Sequence, residues 1–308
     1  MKKKSFYKYF ILFSFCAISC NTTFAQKDSL LNNFLDAINV DDLFSTATKK
    51  SYFKLQTSYL TNYVYAGRKD TSTNYPYLTP SIEYNHKSGL YASVSLSYLA
   101  NDSAKIDVYN VEAGYSINTK GKFSGTIYLN KSFYNATSNN IQNDVAFTTG
   151  LSIIYDAKFA NFTASNYILV GSSNDYSLTI SADHSFYFGN DSSYTFTITP
   201  TLTTYFGSTG FYQNFKTKRG IKGFPPGTTI TKTSPNKFQQ LSYEFSLPIY
   251  FDKIKWGIFL TPTLAIPVNP IITTYTAIKP NGMVIGARST TENISNSFFA
   301  ELGVYFKF

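Results

Sequence analysis

Few side chains in this chain could serve as an acid, a base or a nucleophile's partner. Histidine occurs only at His86 and His184. Serine-type hydrolysis needs an imidazole beside the nucleophile and a third polar group to orient the ring. His86 falls at a turn, before Lys87, Ser88 and Gly89. His184 shares its alternation with Leu178, Ile180, Phe186 and Phe188, which puts it on an apolar face. No zinc signature, phosphate loop or paired-carboxylate motif occurs. No catalytic residue, cofactor-binding residue or metal ligand is therefore expected.

Two groups of charged residues are more informative. Lys54, Glu83, Glu112, Glu244, Glu301 and Lys307 all fall on the polar face of alternating segments. Lining an enclosed passage, four acids against two bases would favour cations or polar solutes. The alternative is a solvated or internally paired wall. The second group is Lys216, Lys218, Arg219, Lys222, Lys232 and Lys237, in the stretch 207–240, which holds no acid. These could contact phosphates or another anionic ligand, or simply stay solvated. That stretch could also fold inward.

The elements that carry these residues alternate with period two, the period of a strand. Leu90, Ala92, Val94, Leu96 and Tyr98 oppose Tyr91, Ser93, Ser95 and Ser97. Leu241, Tyr243, Phe245, Leu247, Ile249 and Phe251 oppose Ser242, Glu244, Ser246 and Tyr250. Extending this reading gives twelve strands, near 52–66, 77–86, 90–100, 107–118, 122–134, 145–156, 159–170, 177–188, 194–206, 241–251, 255–267 and 297–308. Each is near the length that crosses a bilayer when tilted. The connections alternate: tight near 87–89, 119–121, 157–158, 189–193 and 252–254, longer near 67–76, 101–106, 135–144, 171–176, 207–240 and 268–296. Pro80, Pro200, Pro248, Pro262 and Pro267 fit poorly, because proline removes a ladder donor. They keep a soluble β-sandwich in view as the rival fold.

Aromatic residues make up 18% of the chain and charged residues only 15%, and no run of about 18 apolar residues forms a membrane helix. Residues 1–25 read as a signal peptide: Lys2, Lys3, Lys4 and Lys8, an apolar core at 10–19, then Thr23-Phe24-Ala25 for cleavage. A lipidation site at Cys20 is the rival. Both cysteines, Cys16 and Cys20, lie in this segment, leaving none for a disulfide framework or a cysteine metal site. Removing its four lysines leaves 23 basic against 18 acidic residues, a mild +5 that does not suggest nucleic acid. Residues 26–50 carry Leu30, Leu31, Phe34, Leu35 and Ile38 at helical spacing, as a periplasmic lead-in or a plug.

The last stretch, 297–308, puts Phe298, Ala300, Leu302, Val304, Phe306 and Phe308 on one face and Glu301 and Lys307 on the other, ending on an aromatic. It resembles the C-terminal strand of outer-membrane β-barrels, whose final aromatic and alternating apolar positions are an insertion signal. The resemblance covers residues 51–308 as an architecture. It implies an all-β, antiparallel up-and-down transmembrane barrel of about twelve strands in the outer membrane of a Gram-negative bacterium. Its surroundings would be outer-membrane lipid and lipopolysaccharide, and the C-terminal strand would engage the barrel-assembly machinery. The expected function is a narrow channel for ions or small polar solutes. The alternative is a non-conducting surface barrel whose long loops bind a partner or lipopolysaccharide.

Overall fold

Alternation that puts apolar side chains on one face and polar ones on the other can be satisfied in lipid only if the sheet has no open edge. The computed structural model of the chain shows that solution. It describes residues 50–308, apart from 70–73, 101–104, 119–120, 137, 139, 141, 143–144, 172–173, 189–193, 209, 211–228, 234–236 and 279–281. The expected helix within 26–50 and the signal segment lie outside the described residues.

The strands are β1 Tyr52–Leu60, β2 Tyr77–Asn85, β3 Leu90–Leu99, β4 Lys105–Asn118, β5 Phe123–Tyr134, β6 Val145–Asp156, β7 Asn161–Gly171, β8 Asn174–Asp183, β9 Phe186–Phe188, β10 Thr195–Ile198, β11 Thr201–Gly207, β12 Thr229–Thr233, β13 Gln239–Ser246, β14 Ile249–Asp252, β15 Trp256–Pro267, β16 Ile272–Ile278, β17 Val284–Thr291 and β18 Ser297–Lys307. Three pairs are single staves in two pieces: β8 with β9, β10 with β11, and β13 with β14. Counted so, twelve staves pair antiparallel with their sequence neighbours, and β1 pairs with β18 to close the barrel. At that seam Phe308 and Phe53 exchange both main-chain hydrogen bonds, at 2.9 and 3.1 Å.

Three of the prolines, Pro200, Pro248 and Pro262, fall into one diagonal seam. Pro200 separates β10 from β11, and Pro248 separates β13 from β14. The Pro200 carbonyl accepts from His184 N–H at 3.3 Å, Pro248 from Thr199 at 2.9 Å, and Pro262 from Leu247 at 3.0 Å. Each missing donor thus lies beside a ladder break in the neighbouring stave, and the carbonyls stay paired. Pro80 sits where β2 and β3 skip two register pairs.

The outer face carries an aliphatic band that includes Leu55, Ile82, Val94, Val111, Leu129 and Ile180, all exposed. Aromatic rings flank it at both ends. Phe53–Tyr84, Phe159–Phe162 and Tyr194–Phe251–Trp256 touch around the short-turn end. Tyr59, Tyr109, Phe133, Tyr176, Tyr243 and Phe298 ring the long-loop end. An apolar band between aromatic girdles is the outer surface of a barrel immersed in a bilayer. Lys131 is exposed on this face close to the long-loop end, its Nζ 5.5 Å from the Phe133 ring. There its stem can lie along apolar surface while the ammonium reaches polar surroundings.

Four sequence expectations change. Residues 61–66 alternate like the strand before them but leave the ladder after Leu60. The connection expected to be long near 171–176 is two residues, between Gly171 and Asn174. The stretches 207–240 and 268–296 are not plain loops. They contribute β12 and the β16–β17 hairpin to one three-stranded sheet, a pairing no local pattern announces. Finally, the β1–β2 connection, expected as an ordinary loop, folds inward in its described part, while residues 211–228 of the stretch that could also fold inward lie outside the described residues.

Candidate functional site

Residues 61–69 and 74–76 belong to a tongue that crosses the long-loop end of the lumen. Its tip is a tight hairpin in which Tyr65 and Arg68 exchange main-chain hydrogen bonds, both 2.9 Å. Ala66 and Gly67, the two central residues, have φ of 48° and 73°. Positive φ at both is the geometry of a type I′ turn. Gly67 is required twice over, since a Cβ there would lie 2.6 Å from Ser242 Cβ.

The tip is fastened to the β13–β15 wall. Buried Arg68 donates from Nη1 to the carbonyls of Ala66 (3.3 Å) and Leu241 (3.1 Å), and from Nη2 to those of Val268 (3.4 Å) and Asn269 (3.1 Å). Its Nε lies 3.4 Å from Glu292 Oε2, with both side chains almost fully buried. Glu292 also accepts from Ile271 N–H at 3.1 Å. Gly67 N–H donates to Glu244 Oε1 at 3.2 Å.

A second anchor runs from the barrel wall. A register shift beside β4 turns Asp107 inward, where it is fully buried. Asp107 Oδ2 accepts from Tyr77 O–H (2.7 Å) and Ser138 O–H (2.9 Å). Ser138 Oγ accepts from Asn140 N–H (3.1 Å), and Asn140 Oδ1 from Gln142 N–H (2.9 Å). Tyr63 of the tongue then donates to Gln142 Oε1. Tyr63 and Tyr65 also pack on a buried cluster of Val145, Leu169 and Ile271, so the tongue reaches β6 and β7.

Beneath the tongue lies a cavity of about 500 Å³. Its wall includes Glu112, Asn110, Asn130, Ser132, Thr148 and Thr179, with Tyr128, Tyr134, Tyr167 and Tyr205, and among the described residues no lysine, arginine or histidine lines it. On β4 and β5 the polar groups form a ladder, with Asn110 opposite Ser132 and Glu112 opposite Asn130. Tyr91 O–H donates to Glu112 Oε1 at 2.9 Å. Ser132 Oγ lies 2.7 Å from Asn110 Oδ1 and 3.0 Å from Asn130 Oδ1.

The rings lie flat because glycines face them. Tyr91 is paired with Gly114, Tyr128 with Gly150, Phe259 with Gly303, and Tyr305 with Gly257. A Cβ on any of these glycines would meet the partner ring at 2.4–2.6 Å. Each ring therefore covers its glycine and keeps the bore clear.

The six lumen charges expected from the sequence all fall on the inward face, at different heights. Glu244 holds the tongue tip, and Glu112 lines the chamber. Glu301 lies across the ladder from Leu60, a chamber residue. Lys54 is in register with both Glu83 and Lys307 near the short-turn end. Like charges directly opposite repel. Here the Tyr305 ring sits 5.1 Å from Lys54 Nζ and 5.0 Å from Lys307 Nζ, offering both its negative face. Tyr305 O–H in turn donates to Asp252.

Of the basic loop group, Lys216, Lys218, Arg219 and Lys222 lie outside the described residues. Lys232 is in β12, opposite Tyr275, and Lys237 is exposed beside β13. His86 turns back on Ser88 Oγ at 2.8 Å, and exposed His184 packs edge-on against Phe186. Among the described residues, no group of three or more histidine, cysteine or acidic side chains could hold a metal. Sequence reading did not single out Arg68, Asp107 or Glu292. The run Ala66-Gly67 before Arg68 is the one local signal of a tight turn there.

No family model and no curated protein matches the chain. Solved structures similar to it include the NanC porin, at 12% identity and TM-score 0.39 over 82% of this chain and 98% of that one. An outer membrane channel from Pseudomonas putida F1 is similar at 10% identity and TM-score 0.29, over 88% and 100%. The translocator domain of the autotransporter NalP from Neisseria meningitidis is similar at 10% identity and TM-score 0.27, over 91% and 95%. The architecture itself rests on register and faces: this chain is a closed, twelve-stave antiparallel β-barrel of the outer-membrane type.

Proposed function

We propose that the barrel is a narrow outer-membrane channel for small polar solutes or ions, roofed on the extracellular side by the tongue. The observation that carries this reading is the polar chamber inside a barrel whose outer face is apolar. Twelve staves fall between small barrels filled by side chains and large porins with an aqueous bore. Flat-lying rings and a tongue that covers one end suit a narrow passage better than a filled interior. The short turns and both ends of the barrel chain would face the periplasm, and the two long loops the exterior. Outer-membrane lipid would contact the aliphatic band, lipopolysaccharide phosphates would meet the basic loop, and the assembly machinery would engage β18.

Swelling of liposomes that hold the refolded protein tests this reading. Neutral solutes of graded size should swell them up to a sharp cutoff, while liposomes without protein stay intact. Insertion without swelling by any solute would remove the channel reading. It would favour the second one, a surface barrel that binds through its long loops, for which the β12–β16–β17 sheet is the supporting observation.

A further inference from the structure

We infer that the chamber beneath the tongue is a binding site for a neutral polyhydroxylated solute of mono- to disaccharide size. The inference deepens the channel reading and rests on it for the solute's route, though not for its binding. Three features of the wall carry it.

The first is charge. Among the described residues no basic side chain lines the chamber, so its described wall offers an anion no counter-charge. Glu112, the one carboxylate among its described lining residues, already accepts from Tyr91 O–H at 2.9 Å. That bond spends part of its capacity to hold a cation, while oxygen lone pairs remain for hydroxyl donors.

The second is hydrogen-bond capacity. Asn110, Glu112, Asn130 and Ser132 form a cross-strand ladder on two rigid staves. Together they present donors and acceptors at close spacing, as a ring carrying several hydroxyls requires. Because Ser132 already bonds Asn110 and Asn130 in the structure, the ladder is ordered before any solute arrives.

The third is the aromatic wall. Tyr128 lies two residues from Asn130 on the same face, laid flat over Gly150, with the Tyr167 ring 6.1 Å away. Such rings cover the apolar C–H faces of a sugar while their hydroxyls stay polar. The cavity of about 500 Å³ is within the roughly 300–1,000 Å³ of small-molecule sites.

The test is titration calorimetry on the folded protein in an amine-oxide detergent, which carries no sugar headgroup. The probes are maltose, sucrose, glucuronate and glucosamine. Saturable binding of at least one neutral disaccharide, tighter than that of glucuronate and glucosamine, is the expected result. Asn130→Ala and Asn110→Ala should each weaken it about tenfold, the loss of one good hydrogen bond. Leu129→Ala, on the outer face, should leave it unchanged. Heat-modifiable gel migration establishes that each variant is folded. The proposal is overturned if neither disaccharide binds, if either charged sugar binds more tightly, or if both asparagine variants bind as the parent does. Binding without liposome swelling would keep the site and remove the channel, and swelling without binding would do the reverse.

Discussion

Arg68 Nε and Glu292 Oε2 lie 3.4 Å apart in a place where both side chains are almost fully buried. One belongs to the tongue between β1 and β2, the other to the connection between β17 and β18, so this ion pair ties the lumen's roof to the long connection that carries the β16–β17 hairpin. Removing one partner of a buried pair costs about 3–5 kcal/mol, because the other charge is left uncompensated. Here that cost falls on a segment that its other bonds and packing hold to the wall without a strand ladder, so the tongue should detach before the barrel melts.

Labelling can follow that detachment. Both native cysteines lie in residues 1–25. In a chain starting at residue 26, Ala66→Cys is therefore a single reporter at a buried tip. A membrane-impermeant maleimide should modify it slowly, and at least about tenfold faster when Arg68→Met is added. Equal rates would show that Arg68 does not hold the tip.

Gly150→Ala should tip the Tyr128 ring into the bore. The added Cβ would come 2.6 Å from a ring carbon, closer than the ladder can relieve. The expected result is a smaller single-channel current and a barrel less stable by about 1–3 kcal/mol. Adding Tyr128→Ala should restore the current. An undiminished current in Gly150→Ala would mean that the ring has another place to go.

Glu112→Gln should reduce cation preference, read as a shift of reversal potential toward zero under a potassium chloride gradient. Glu301→Gln should act in the same direction. Glu244→Gln differs, because Glu244 accepts from the Gly67 main chain and its loss should loosen the tongue. An unmoved reversal potential in Glu112→Gln would leave the chamber carboxylate without a role in selectivity.

Deleting Phe308 removes the two main-chain bonds with Phe53 at the end of the closing β1–β18 seam, and a ring that is 72% exposed on the outer face. Folding into vesicles, followed by heat-modifiable migration, should slow severalfold while ion selectivity in the folded fraction stays the same. Unchanged folding kinetics would remove the last residue from the closure step.

The staves were legible because alternation is local. Leu90 to Tyr98 and Leu241 to Phe251 show their faces without any partner, and turn residues such as Ser88-Gly89 mark the ends. The inward parity of Glu112, Glu244 and Lys54 could be read the same way. The tongue could not, since Tyr63 and Tyr65 continue the β1 alternation. What turns them inward is Arg68 bonding to carbonyls about 170–200 residues away. The glycine–ring pairs are invisible for a similar reason: Tyr128 and Gly150 mean nothing to each other until the β5–β6 register is known. Pro200, Pro248 and Pro262 read as defects one at a time and make sense only as a seam.

The most direct measurement is single-channel conductance in a planar bilayer, comparing the chain starting at residue 26 with a version whose residues 62–75 are replaced by a short glycine–serine turn. A roofed channel predicts a small or intermittent current in the first and a steady, larger current in the second. Equal currents would show that the tongue does not obstruct the bore, and silence in both, with insertion established, would contradict the channel itself.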